Sequence, residues 1–271
     1  MGLFFNRVLS YVKYRWNQRV RLGREYGAPL RGLLALLAPR EAAGMRKVRV
    51  GAGRDGGYVM LDDFRRIDVA LSLGIGPDVS WDYDMAERGI PVWQFDHSIN
   101  ALPRKHPLFR FEQKRIVSQS PSLQDITLTA LLEQLAEKQC ILKMDIEGGE
   151  WDVLAQLDPH LLSNCRQMVI EFHNFMSIEN PVWRDKARQA LVSLARDFGV
   201  VHVHGNNLSK HILSDGLSLH DSLEVTFANR RFYSLEPTEE TFPGRYDKRN
   251  NPFFPDFNLG RFQFPHDKEN I

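Results

Sequence analysis

Ile141-Leu142-Lys143-Met144-Asp145-Ile146-Glu147-Gly148-Gly149-Glu150-Trp151 decides the fold. A short apolar strand ends in two alternating carboxylates, a glycine pair follows, and a helix begins at once. Ligands of an open α/β sheet bind outside the carboxyl ends of its strands, so Asp145 and Glu147 stand where chemistry is expected. A second strand-and-turn lies upstream, Val69-Ala70-Leu71-Ser72-Leu73-Gly74-Ile75-Gly76-Pro77-Asp78.

Outward from these two segments the chain alternates regularly. Strands are predicted at 68–73, 91–95, 109–117, 141–146, 168–172, 200–204 and 223–228. Helices are predicted at 79–88, 128–137, 150–157 and 182–198. Continuous apolar strands alternating with helices imply an α/β domain, a mostly parallel seven-stranded sheet with helices on both faces. No helix is predicted between the last two strands, which suits an antiparallel pair and an antiparallel edge strand. Residues 46–61 read as a hairpin turning at Asp55-Gly56-Gly57.

The chain divides into a basic N-terminal extension (1–45), the α/β domain (46–235) and a Pro/aromatic-rich C-terminal arm (236–271). Residues 3–22 read as an amphipathic helix, with Phe5, Leu9, Val12, Trp16 and Val20 near helical spacing and five Lys/Arg between them. Such a helix lies on an anionic membrane surface, or packs on its own domain or on a second subunit of a homo-oligomer. A second short helix is expected near 30–37. The C-terminal arm is too aromatic for a disordered tail and is expected to dock on the domain.

The net charge of +1 hides an asymmetry: residues 1–50 carry about +9 and the remainder about −8. This is no uniformly basic nucleic-acid binder. The two cysteines, Cys140 and Cys165, read as small buried hydrophobes, and neither a disulfide framework nor a zinc site is indicated. That points to a reducing, cytoplasmic setting, with peripheral contact at the inner membrane surface if the N-terminal helix meets lipid. No stretch approaches the ~20 apolar residues of a membrane span.

Gly74-Ile75-Gly76 follows a strand and opens a helix, but a dinucleotide site wants a third glycine three residues on, and Val79 stands there. Asp78, Asp82 and Asp84 would repel a pyrophosphate at that helix start, whereas a cationic sulfonium tolerates them. Asp96, 22 positions after Gly74, is placed to accept ribose hydroxyls. His97 and Ser98 follow it.

The Lys143–Glu150 string, the glycine turn and Asp55-Gly56-Gly57-Tyr58 together resemble the FkbM-type family of S-adenosylmethionine-dependent methyltransferases over roughly residues 46–230. The resemblance implies a Rossmann-like class I methyltransferase fold with S-adenosylmethionine as cofactor, bound through Gly74, Gly76, Asp96, His97, Ser118 and Tyr58. It implies O-methylation of a small-molecule or glycan acceptor, a sugar hydroxyl or a secondary metabolite. The acidic residue often found at the end of the family's first strand is replaced around Ser72. A non-catalytic scaffold on a degenerate methyltransferase fold, or an NAD(P)-dependent oxidoreductase, are the rival readings.

Methyl transfer to an alcohol needs alignment and a route for the proton. Candidates gather at strand ends: Asp145 and Glu147, Glu171 and His173, His202 and His204, each pair on one face of its strand. Asp145, His173 and His204 are the expected catalytic residues, with His173 or His204 as general base and a carboxylate orienting it. A divalent cation held by Asp145, Glu171 and His204 is the alternative. The metal-free version is preferred, because the ligands would come from separate strands with no compact metal signature.

Overall fold

The structure is a computed structural model and describes residues 19–119 and 121–264. At its centre lies a seven-stranded sheet. Its members are β5 (Val69–Leu73), β6 (Val92–Phe95), β7 (Phe109–Glu112), β10 (Cys140–Met144), β11 (Cys165–Phe172), β12 (Phe198–Gly205) and β15 (Leu223–Asn229). The order across the sheet is β12-β15-β11-β10-β5-β6-β7. All run parallel except β15, which is antiparallel to both β11 and β12. The antiparallel strand is therefore the second from the edge, not the edge strand expected from the sequence: β15 slots between β11 and β12.

Alternation along each strand sorts its side chains between two layers. Val69, Leu71, Leu73, Leu142 and Met144 join one core with α1 (Gly27–Ala35), α3 (Leu128–Glu133), α4 (Glu150–Gln156) and α5 (Pro181–Asp197). Ala70, Ile141 and Val169 join the other, with α2 (Ser80–Glu87) and the hairpin of β3 (Lys47–Val50) and β4 (Tyr58–Leu61). Helices on both faces were expected; the second face is covered by one helix and a hairpin. Both cysteines are buried and free.

The predicted strand 109–117 divides. After Glu112 the chain turns, Lys114 N donating to the Glu112 carbonyl at 2.9 Å. β8 (Arg115–Val117) then leaves the sheet and pairs in parallel with β9 (Asp125–Thr127). The loop between the last two sheet strands holds a hairpin, β13 (His211–Ser214) and β14 (Leu217–His220). Its turn, Asp215-Gly216, has both residues at positive φ, 45° and 78°, the geometry of a tight hairpin turn.

β1 (Arg19–Arg21) runs parallel to β13, so the C-terminal end of the helix predicted over 3–22 is a strand; the rest of that prediction lies outside the described residues. Residues 236–264 run back over the domain. β16 (Leu235–Pro237) pairs with β2 (Arg40–Ala42), and Asp247, Asn250 and Asp256 bond to side chains at the ends of the sheet strands. Among the described residues no helix is long and apolar enough to cross a membrane.

Candidate active site

The chain after β5 must turn directly against the end of β10. Gly74 does so at φ +77°, where a Cβ would sit 1.6 Å from the Asp145 carbonyl oxygen. No other residue fits so close an approach. Asp96, at the end of β6, lies beneath the turn. Its Oδ2 accepts the Ile75 and Gly76 amides at 2.8 and 2.9 Å, and its Oδ1 accepts the Ser98 amide and hydroxyl at 2.7 Å each. Burial acts to raise the Asp96 pKa, but the bonds from Gly76, Ser98 and Ile75 outweigh it and hold the carboxyl below its ordinary range. Two donors on each oxygen fill a carboxylate's acceptor capacity. The residue read as a ribose acceptor is thus first the anchor of the glycine turn, and the Ser98 hydroxyl is the donor free to rotate away for a ligand.

Over the turn opens a cavity of about 340 Å³, within the range of small-molecule sites (roughly 300–1,000 Å³). Gly74, Gly76, Asp96, His97 and Tyr58 line it, with Phe95, Ile116 and Ile146 as apolar wall. Ser118 does not line it: the chain has left the sheet at β8, and Lys114, Arg115 and Ile116 stand where Ser118 was expected. Of the three acids at the helix start only Asp78 reaches the cavity. Asp82 is buried against Gln94 (2.9 Å), and Asp84 accepts the Gly51 amide (2.7 Å).

A second cavity of about 250 Å³ adjoins the first through Asp55, Asp145 and Glu147, which line both. Its other walls are Glu171, His173, Asn206, Leu208, Ser209 and Ser222, polar but for the leucine. Asp145 therefore stands at the junction. The Tyr58 hydroxyl donates to its Oδ2 at 3.3 Å. Burial pushes the Asp145 carboxyl up to about 6, against the opposing pull of Lys143 and His173 and with Glu150 and Glu147 adding to the rise.

His173 lies in a ring of acids: Nδ1 is 3.2 Å from Glu150, and Nε2 is 3.5 Å from Glu171 and 3.8 Å from both Asp145 and Glu147. Burial would lower its pKa, but the bond and charge of Glu150, then Glu171 and Asp145, push it up to about 10. The surrounding acids thus favour its imidazolium form, which is a poor general base. Glu150, fully buried, also accepts the Ile146 and Gly148 amides at 2.8 and 3.3 Å. One carboxylate thus fixes both the turn after β10 and the histidine.

His204 is not in either cavity. Its Nδ1 bonds Glu224 at 3.0 Å and its Nε2 bonds Asp256 at 3.1 Å, and the ring is buried. With both nitrogens engaged it is neither base nor metal ligand. The physical reason is the strand order: β15 and β11 lie between β12 and β10, and three spacings of about 4.8 Å carry His204 beyond reach of Asp145. The cation set expected from the sequence is corrected accordingly. Among the described residues two sets have their ligand atoms within 4.8 Å of one another: Asp145, Glu171 and His173, and Asp55, Glu171 and Glu224.

Two positions gained a place that the sequence reading did not give them. Lys143 is buried, lines the larger cavity and donates to the Gly74 carbonyl at 2.7 Å; the signal was a lysine in an otherwise apolar strand. Asn250, on the C-terminal arm, bonds both Asp55 (3.0 Å) and Glu224, and no local pattern announces it.

A glycine turn thus lies under one cavity, and carboxylates at the end of the central strand lead into a second, polar one. A family model for the methyltransferase FkbM domain matches residues 63–210, more than half of the 271-residue chain and shorter than the 46–230 over which the resemblance was read. No curated protein matches the chain. The chain belongs to the FkbM methyltransferase family.

Proposed function

We propose that this methyltransferase uses S-adenosylmethionine and methylates a hydroxyl oxygen of a polar acceptor, a sugar or a hydroxylated secondary metabolite. One observation carries the reading: two cavities of complementary character meet at Asp145. The larger, over the glycine turn, has an apolar wall for an adenine ring and polar groups at its ends. The smaller is lined almost wholly by carboxylates, amides and hydroxyls, which suit an acceptor rich in hydroxyls.

Bound there, S-adenosylmethionine supplies an already activated methyl group. The chain's own part is alignment and proton removal. Asp145 accepts the proton of the acceptor hydroxyl as the oxygen–methyl bond forms. Its raised pKa of about 6 makes it a better base than an ordinary aspartate while leaving it ionised near neutrality. Tyr58 fixes one of its oxygens. The His173 imidazolium, held by Glu150, offsets the charge of the surrounding acids. Lys143 steadies the glycine turn from below. A base on the chain answers the need that a metal would otherwise meet.

The test is transfer of labelled methyl from S-adenosylmethionine to a panel of hydroxylated acceptors, with Asp145→Asn beside the native chain. The expected result is turnover that falls about 100-fold or more in the variant, with affinity for S-adenosylhomocysteine changed less than about threefold. Transfer to no hydroxylated compound by protein that binds S-adenosylhomocysteine would remove the acceptor class. No binding at all by folded protein would favour a non-catalytic scaffold.

A further inference from the structure

A larger cavity, about 560 Å³, lies at the other end of the sheet. It is bounded by the first residues of β12, the last of β15 and the segment after α1. Because β12 runs parallel to β10 and its Gly205 end faces the acceptor cavity, this cavity at its Phe198 end is remote from Asp145.

Its polar wall carries three guanidinium groups. Arg261 is paired with Glu239, but Arg40 and Arg230 make no ion pair with any described residue. They are close enough that Arg40, after burial, is a cause of the lowered pKa of Arg230, and no carboxylate opposes that shift. Arg230 is exposed and Arg40 partly buried, so water screens both, but two unpaired guanidinium groups on one cavity wall give it a positive field that attracts an anion. The C-terminal end of α1 also borders the cavity, but a helix terminus offers only about half a charge against two whole ones. The rest of the wall is mixed: Thr238, Gln263 and Glu239, the partner of Arg261, stand beside the apolar Phe198, Val200, Phe227 and Phe264.

We propose that this cavity binds an organic anion with an apolar body, its acidic group between Arg40 and Arg230 and its body against the phenylalanines. Guanidinium forks match phosphate and carboxylate geometry, and a buried ring adds affinity through removal of apolar surface from water. The site is separate from the donor and acceptor cavities and does not depend on the activity proposed for them.

Calorimetry on the full chain with phenyl phosphate and with inorganic phosphate tests it. Saturable binding of phenyl phosphate is expected, at least tenfold tighter than inorganic phosphate. Arg40→Gln or Arg230→Gln should weaken it tenfold or more in protein whose melting temperature is unchanged. Saturating S-adenosylhomocysteine should leave it intact. The proposal is overturned by absence of saturable binding, by affinity indifferent to both substitutions, or by competition with S-adenosylhomocysteine. It is likewise overturned by binding that emerges only when residues 265–271 are deleted, which would assign the cavity to the chain's own end.

Discussion

Replacing Gly74 by alanine perturbs the point on which the donor cavity is built. An added Cβ meets the Asp145 carbonyl oxygen at 1.6 Å, when real contacts essentially never fall under 3.0 Å. The ends of β5 and β10 must therefore part by more than an ångström. An alanine at φ +77° costs about 1–2 kcal/mol in itself. The movement also strains the bonds that meet there: Asp145 N to Leu73 O at 2.8 Å, Gly74 N to Phe95 O at 2.9 Å, and Lys143 Nζ to Gly74 O at 2.7 Å. At about 1 kcal/mol for each bond lost, and two or three at risk, the destabilisation is about 3–5 kcal/mol. Gly76→Ala is the control. It shares the left-handed backbone (φ +59°), but nothing lies within 4 Å of its Cβ, so only about 1–2 kcal/mol is expected. Urea unfolding reads the difference, and calorimetry with S-adenosylhomocysteine should show affinity falling more than tenfold in Gly74→Ala. Equal destabilisation at the two glycines, or native affinity in a folded Gly74→Ala protein, would refute the reasoning.

Three further outcomes follow from the site. The rate of methyl transfer should rise with pH through about 6 as Asp145 ionises, and the pH profile of Asp145→Asn should lose that limb; an unchanged limb would acquit Asp145. His173, whose folded pKa of about 10 lies above the ~6.5 of an unfolded histidine, contributes stability that is fully present below about pH 6.5. That contribution is lost as pH rises toward 10, so chemical unfolding across this range should show a decline that is flattened in His173→Gln, and a parallel decline in both proteins would contradict the ring of acids. Lys143→Met removes the cation beneath the turn and should weaken S-adenosylhomocysteine binding about tenfold, one charge-assisted hydrogen bond's worth, whereas undiminished affinity would leave Lys143 a packing residue.

What was legible in the sequence was what local pattern fixes. Val69–Leu73 and Cys140–Met144 are continuous apolar runs, and only a sheet covered on both faces uses such strands. The glycine turn and Asp145 could be found for the same reason: each follows its strand within a few residues. The stretch 109–117 misleads because apolar residues return at Ile116-Val117 after a polar run, while the chain turns at Gln113-Lys114, so the expected contact at Ser118 goes with it. The hairpin at 211–220 carries a readable signal, Asp215-Gly216, at its turn. His204 illustrates the deeper limit. Strand alternation correctly places it with His202, but whether it meets Asp145 depends on which strand lies between. That order, like the partnership with Asp256, is set by contacts distant in the chain. Glu150 opens the helix Glu150–Gln156, where an acid complements the helix dipole; its grip on His173 needs β11 beside β10, which no local pattern specifies.

The most direct test is a crystal structure of the chain with S-adenosylhomocysteine. The ligand should lie over Gly74–Gly76, its adenine against Ile116 and its sulfur facing the junction at Asp145. A ligand seated elsewhere, or its sulfur turned away from the polar cavity that Asp145 shares, would contradict the layout on which the proposed chemistry rests.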